Sequence, residues 1–268
     1  MPSAPSSTEN GCLKCETESN ACLACERDRG EIRQLLQRGD VLYANFKTVE
    51  ALKEFLKILQ VDPRHHEALC KTARAYIDLG DLISESTAGW EERRLKQYAV
   101  AEEYGRRAVK SDPDSTWGHF YVAAALGKIA MLSPIPKQID LSNEIKEQVE
   151  KALTLDPRNG FAYHIYGVWQ RRVAEIGQMS RVLASVLLGR TVPKGSFEKS
   201  EEYFNKAIAL NPKVIVHRLE LAKTYIAWGK SQQARAPLKT VLELPVQVSD
   251  DPLHKKEAEQ LLQEIISH

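Results

Sequence analysis

The chain has 268 residues, of which 43% are hydrophobic and 27% charged, and 37 basic residues offset 36 acidic ones to leave a net charge of +1. So small a net charge excludes recognition of nucleic acid or of an anionic membrane through the field of the whole molecule. The sequence has no run of about 18 apolar residues and no basic, apolar leader, so we expect a soluble intracellular protein without a transmembrane segment.

The first segment, residues 1–28, is rich in Ser, Glu and Asn and is predicted to be a disordered, Cys-rich tail ahead of a repeat domain over residues 30–268. Its four cysteines form two Cys-x-x-Cys pairs, namely Cys12 with Cys15 and Cys22 with Cys25. Such pairs build four-thiolate zinc sites, although the spacer between them is shorter than the usual dozen or so residues. Zinc, free thiols in a disordered tail, and lipidation or a redox role therefore all stay open, and no other cofactor is expected.

After the tail, a repeat is marked by four dipeptides that each end an apolar helical segment: Asp62-Pro63, Asp112-Pro113, Asp156-Pro157 and Asn211-Pro212. Aligning the prolines near the end of a tetratricopeptide unit of about 34 residues puts a small residue at position 8 of five units. These residues are Gly39, Ala73, Ala123, Gly167 and Ala222. Because two helices cross closely at that position, the pattern predicts an all-α tetratricopeptide-repeat solenoid of about five helix pairs.

The second, third and fourth units are longer than the consensus and carry insertions, of about 16, 10 and 21 residues. They correspond to residues 81–97, 131–143 and 178–196. Each falls between the two helices of its unit, so we expect all three at the same edge of the superhelix. A helical interpretation of the third insertion would bury most of its apolar residues, which are Val182, Leu183, Val186, Leu187 and Leu188.

The inner groove of such an array is lined by positions 2, 5, 9, 12 and 13 of each first helix. The candidate partner- or lipid-binding residues are Trp117, Phe120, Phe161, His164, Val168, Arg171, Arg172, Lys223 and Ile226. They predict an apolar, aromatic groove with a few cations, suited to an apolar guest. The alternative is that Trp117, Phe120 and Phe161 are covered by the insertions or by tight curvature of the superhelix.

The C-terminal end, from about Pro252 to Ile266, is predicted to be a capping helix. Its apolar stripe consists of Ala258, Leu261, Leu262, Ile265 and Ile266. Nowhere does the sequence show a nucleophile beside a base or a glycine-rich phosphate loop, so we predict a protein that is not an enzyme. Short arginine pairs in place of a basic stripe argue against nucleic-acid binding.

Several segments resemble the regulator of microtubule dynamics family. They include Gly167-Val168-Trp169, Arg172-Val173-Ala174-Glu175-Ile176, Leu187-Leu188-Gly189, Leu221-Ala222-Lys223-Thr224-Tyr225 and Leu242-Glu243-Leu244-Pro245. The resemblance covers roughly residues 30–268. It implies a cytoplasmic adaptor associated with microtubules or the spindle, while some relatives sit at contacts between endoplasmic reticulum and mitochondria and bind phospholipid. Those membrane-linked relatives carry an apolar N-terminal segment where this chain has its cysteine pairs.

Two functions follow as expectations. The first is a scaffold whose groove or insertion edge holds a partner helix or peptide, with tubulin or microtubules as the partner that the resemblance implies. The second is a phospholipid-binding or lipid-transfer module, in which the groove takes an acyl chain and Arg171, Arg172 or Lys223 binds a phosphate. Basic groups would suit tubulin's acidic tails as well as a phosphate, so charge does not separate the two.

Overall fold

The computed structural model describes residues 19–176 and 193–267, with side chains from residue 28 onward. In this part of the chain the secondary structure is helical. The helices are α1 (Ser19–Ala44), α2 (Thr48–Val61), α3 (His66–Asp81), α4 (Trp90–Ser111), α5 (Thr116–Met131), α6 (Ile135–Leu155), α7 (Gly160–Glu175), α8 (Phe197–Leu210), α9 (Ile215–Ala227), α10 (Ser231–Glu243) and α11 (Asp251–Ser267). Helices α1 to α10 form five pairs and α11 follows as the cap, which confirms the predicted solenoid.

Each dipeptide that marks the repeat terminates the second helix of its unit, and the reason is local. The residue before a proline is held in extended backbone, which is incompatible with another helical turn. Asp62, Asp112 and Asp156 all have extended backbone, and each donates its backbone N–H to the carbonyl four residues earlier. The Asp62 and Asp156 carboxylates also accept the backbone N–H two residues later, at 3.0 and 2.9 Å, which stabilises the turn into the next helix.

Position 8 of each first helix is the crossing point that the sequence predicts. A Cβ atom on Gly39 would come within 2.3 Å of the Phe55 ring, and one on Gly167 within 2.9 Å of the Phe204 ring. The alanines at the equivalent positions, Ala73, Ala123 and Ala222, are all 0% exposed. The small-residue prediction is therefore confirmed.

Two of the three insertions are described, and both lengthen the second helix of their unit. Helices α4 and α6 have 22 and 21 residues, against 14 in α2 and 13 in α10. The first insertion also contains the loop of residues 82–89. Second helices all begin at the same edge of a solenoid, so these two insertions share that edge as predicted. The third insertion lies outside the described residues except for 193–196.

Among the described residues, the core consists of three clusters that follow one another along the solenoid, as expected when each repeat contacts only its neighbours. Fully buried members of successive clusters are Phe55, Val149 and Leu238. Ala258 of α11 completes the last cluster, and Leu262 packs against it, which confirms the capping helix. Ile266 is 60% exposed, so its predicted place in the buried stripe is wrong; it lies in the last turn of α11 and does not belong to the last core cluster.

The N-terminal boundary differs in one respect from the sequence interpretation. Helix α1 begins at Ser19, so the predicted limit at residue 28 falls within it, and Cys22 and Cys25 lie on helical backbone. Cys12 and Cys15 lie outside the described residues, and the zinc site stays a prediction. None of the described helices has the length and apolar character that crossing a membrane requires.

Candidate binding groove

The centre of the concave face carries a cluster of aromatic rings. The Trp117 ring lies edge-on to Phe120 at 5.6 Å and tilted against Phe161 at 6.2 Å, and the Phe120 and Phe161 centroids are 6.1 Å apart. We call Trp117, Phe120 and Phe161 the aromatic patch. Trp117 is 40% exposed and the two phenylalanines are half-buried. Trp117 is therefore uncovered in the described structure, whereas the two phenylalanines are partly covered.

Beside the patch, His164 forms a pair with His217, which the sequence interpretation missed. Their Nδ1 atoms are 3.0 Å apart, so one imidazole donates and the other accepts. His217 is fully buried and its ring packs against Phe161 at 5.5 Å. Burial lowers the pKa of His164 to about 4 and that of His217 well below its usual value. Both rings are therefore neutral at neutral pH and join α7 to α9 by packing and a hydrogen bond.

The predicted cations Arg171 and Lys223 are committed to acidic partners. Arg171 is 5% exposed and forms an ion pair with Glu220. Lys223 Nζ binds Glu220 at 2.9 Å and Glu257 of α11 at 2.6 Å. Burial acts to raise the pKa of Glu220, but Arg171 and Lys223 outweigh it and hold that pKa well below its usual range. Arg171 and Lys223 are thus not available to a phosphate as the lipid hypothesis expects. Glu220 is not among the predicted groove residues, because it lies between groove positions 5 and 9 of its helix.

The remaining predicted groove residues are exposed or half-buried. Arg172 is exposed and pairs with Glu175 at 3.3 Å. Val168 and Ile226 are half-buried, and Ile226 packs against the last core cluster. The structure therefore brings the aromatic patch together with His164 and separates it from the charged residues further along α7 and α9.

Polar contacts cross most boundaries between first helices on this face. Lys71 of α3 pairs with Asp40 of α1, and Lys128 of α5 pairs with Asp81 of α3 at 2.7 Å. Arg171–Glu220 and Lys223–Glu257 join α7 to α9 and α9 to α11. Among the described side chains, no ion pair joins α5 to α7, and the aromatic patch occupies that boundary.

The turn before α11 brings further acidic groups to the groove. Burial acts to lower the pKa of Lys128, but the negative charges of Asp81 and Asp250 outweigh burial and raise it. A residue near the C-terminal end of the solenoid therefore affects the pKa of one in its middle. Asp250, Asp251 and His254 offer atoms within 4.8 Å of one another that could hold a metal ion. Asp251 Oδ2, however, accepts the backbone N–H groups of Gln247 at 2.7 Å and Val248 at 3.0 Å. Its part in starting α11 accounts for this residue without a metal.

Cys70 is a buried thiol of the first core cluster. Its Sγ lies 3.4 Å from His66 Nε2, and burial raises its pKa to about 12. A thiol with this pKa stays protonated at neutral pH and is a poor nucleophile. The site therefore offers apolar contacts and paired charges, which suit binding.

Comparison with known proteins gives a consistent result. The family described as "Regulator of microtubule dynamics protein 1-3" matches residues 35–266. Regulator of microtubule dynamics protein 1 of Bos taurus is 30% identical over 233 residues, covering 87% of this chain and 71% of the relative. Regulator of microtubule dynamics protein 3 of Mus musculus is 29% identical over 259 residues, and the chain spans 52% of that relative's length. A thermophilic TPR protein of Thermus thermophilus has a TM-score of 0.61 at 21% identity, covering 87% of this chain and 99% of that one, which shows the tetratricopeptide fold.

Proposed function

Because this chain belongs to the regulator of microtubule dynamics family, we propose that it is a non-enzymatic adaptor that binds a protein segment on its concave face. Tubulin or the microtubule is the partner that the names of the relatives suggest. The proposed location is the cytoplasm, on microtubules or the spindle. The name of the family and the tetratricopeptide fold support a regulator that works by binding.

The exposed aromatic patch is the observation that carries this proposal. At most other boundaries along the inner face, buried or half-buried charges already satisfy one another, so a guest gains little by displacing them. Trp117, at 40% exposure, still has apolar surface to lose to a partner. Covering a large apolar side chain contributes about 1.5–3 kcal/mol, and aromatic residues in central positions dominate many interfaces.

The same charges weaken the case for a phospholipid guest. That alternative assigned Arg171, Arg172 or Lys223 to a phosphate, but Arg171 and Lys223 are bound to Glu220. Arg172 pairs with Glu175 and lies on the exposed side of α7. A phosphate would have to compete with a carboxylate for each of the three cations.

Co-sedimentation with polymerised microtubules tests the proposal. Trp117→Ala removes the exposed anchor, and we expect at least a roughly tenfold weaker association, since about 1.4 kcal/mol corresponds to that factor. Phe46→Ala, at a residue 49% exposed in the turn between α1 and α2, is the control for loss of a surface aromatic. Trp90→Ala probes the insertion edge at the start of α4.

A Trp117→Ala protein that sediments like the parent would remove the concave face as the site. If Trp90→Ala alone reduced sedimentation, the insertion edge would take its place. Equal, weak sedimentation of all four proteins would count against direct binding to microtubules.

A further inference from the structure

The end of the groove beyond the aromatic patch carries more acidic than basic groups. Asp78 and Asp81 lie near the end of α3, and Asp250 precedes α11. Lys128 of α5 binds both oxygens of Asp81, at 2.8 and 2.7 Å. We call Asp78, Asp81, Lys128 and Asp250 the acidic floor. Asp81 and Asp250 against one ammonium leave one negative charge in excess, to which Asp78 adds only in part, since burial raises its pKa to about 7.

The charged groups around the acidic floor leave it negative. Arg74 acts on Asp78 as a positive charge and donates from Nε to the Tyr43 hydroxyl at 2.8 Å. Asp251 adds a carboxylate on the other side, where the His254 imidazole lies 3.8 Å from it and 3.7 Å from Asp250. The nearby cations Arg171 and Lys223 are already bound to Glu220, which also acts on Lys128.

The pKa of Lys128 shifts in the direction that this negative charge favours. Burial works against its charged form, yet Asp81, Asp250 and Glu220 together outweigh burial and raise its pKa. Burial raises the pKa of Asp78 to about 7, and the negative charges of Asp250 and Asp81 add to that effect. A second cation placed here would therefore meet a favourable potential.

The acidic floor is partly exposed, and the Asp81 side chain, at 18%, is less accessible than that of Lys128. The Lys128 side chain is 37% exposed and that of Asp250 is 20% exposed. Trp117 and Lys128 are eleven residues apart on α5, close to three full turns, so they share a face. Their separation along the helix is about 16 Å. About five extended residues, or three helical turns, of a partner would span it.

We propose that the groove binds a basic amphipathic segment of a partner protein, with an apolar side chain on the aromatic patch and a Lys or Arg side chain in the acidic floor. This rests on the proposed function in taking the concave face as a protein-binding surface. It adds the sign of the partner's charge and the spacing between its two anchors. An acidic segment would meet like charges at the floor and would be rejected.

Selection from a phage-displayed library of random peptides of about 12 residues, with the full chain as bait, tests the proposal. We expect enriched peptides to combine an aromatic or large aliphatic residue with Lys or Arg, about five positions away in an extended peptide or about eleven in a helical one. One enriched peptide, labelled with a fluorophore, is then titrated with the parent and with variants. Asp250→Asn should weaken binding about fivefold at low salt, the factor for one unit charge at about 4 Å in water. The loss should shrink at high salt.

Two further variants keep the result interpretable. Glu147→Gln removes a charge from an exposed position on α6, away from the groove, and should leave binding unchanged. Asp78→Asn is the second floor variant should Asp250→Asn disturb the start of α11. Each variant is first compared with the parent by thermal unfolding.

The outcomes separate the two proposals. Enriched peptides that need Trp117 but carry no basic residue, or carry acidic ones, would overturn the basic-segment inference and leave the concave binding site standing. Enriched peptides that bind equally well to Trp117→Ala would remove the concave site and the inference together. Basic peptides whose affinity is unchanged by both Asp250→Asn and Asp78→Asn would show that their basic residues bind elsewhere on the protein. That result would also overturn the inference.

Discussion

Arg171 of α7 and Glu220 of α9 form an ion pair across the boundary between two repeats, and their side chains are only 7% and 13% exposed. Because the pair is largely excluded from water, it adds little stability compared with two apolar residues. Removing one partner, however, leaves the other charge buried without a counter-ion. The pair therefore makes the relative position of the two repeats depend on both residues. It also explains why neither charge is free for a ligand.

Glu220→Gln should lower the free energy of unfolding by about 3 kcal/mol, because Arg171 then lacks its buried counter-ion. Glu202→Gln, at an exposed carboxylate that pairs with Lys206 on α8, should cost less than about 1 kcal/mol. Urea denaturation measures both. An Arg171→Met, Glu220→Leu double variant should recover most of the loss, and equal midpoints for Glu220→Gln and the parent would contradict the buried pair.

Gly39→Ala should destabilise the protein by about 1 kcal/mol, because the new methyl overlaps the buried Phe55 ring and the gain in helix propensity offsets only part of that strain. Gly30 lies on the same helix with nothing within 4 Å of a Cβ atom, so Gly30→Ala should stabilise by about 0.5–1 kcal/mol. Thermal unfolding followed by circular dichroism distinguishes the two signs. Parallel shifts of both variants would mean that position 8 is not a tight crossing.

The His164–His217 pair predicts a loss of stability in mild acid. Burial lowers both pKa values, to about 4 for His164, whereas histidine in an unfolded chain titrates near pH 6.5. Below about pH 6.5 the unfolded chain therefore binds more protons than the folded one, and stability falls as the pH drops towards 4. At pH 5 the loss is roughly 2 kcal/mol for His164, and His217 adds to it in the same direction.

The charges that face His164 are of both signs: Glu220 acts to raise its pKa, and Lys128, Arg171 and His254 act to lower it. His164→Asn should remove about half of the pair's contribution to the difference in unfolding free energy between pH 7.5 and pH 5. Denaturant titrations at the two pH values measure it. An unchanged difference would show that His164 titrates normally in the folded protein.

Leu262→Ala should weaken the cap by about 1–2 kcal/mol, less than a fully buried leucine would, since Leu262 is half-buried against the last core cluster. Leu253→Ala on the same helix, at a residue 50% exposed, should change stability by less than about 0.5 kcal/mol. Amide hydrogen exchange in α10 and α11 provides the measurement. Equal protection in both variants and the parent would mean that α11 does not cap the array through this residue.

The candidate site was only partly predictable from the sequence. The positions of Trp117, Phe120 and Phe161 within the repeat unit were enough to place them on one face. The structure brings the three rings together. Register did not reveal that Arg171 and Lys223 share Glu220, although the spacing of three residues between Glu220 and Lys223 was a usable signal. His217 carried no such signal, because its partner lies 53 residues away.

What the sequence alone determined is the repeat, since its signals act within a few residues: a proline that ends a helix at Asp62 or Asp112, and a small residue such as Gly39 where two adjacent helices cross. The superhelical curvature is a sum over all the repeats, and no local pattern encodes it. Only the tertiary structure could therefore show that Asp250 acts on Lys128 and Asp78. The charge of Asp250 adds to that of Asp81 in the groove and supports the kind of partner we propose.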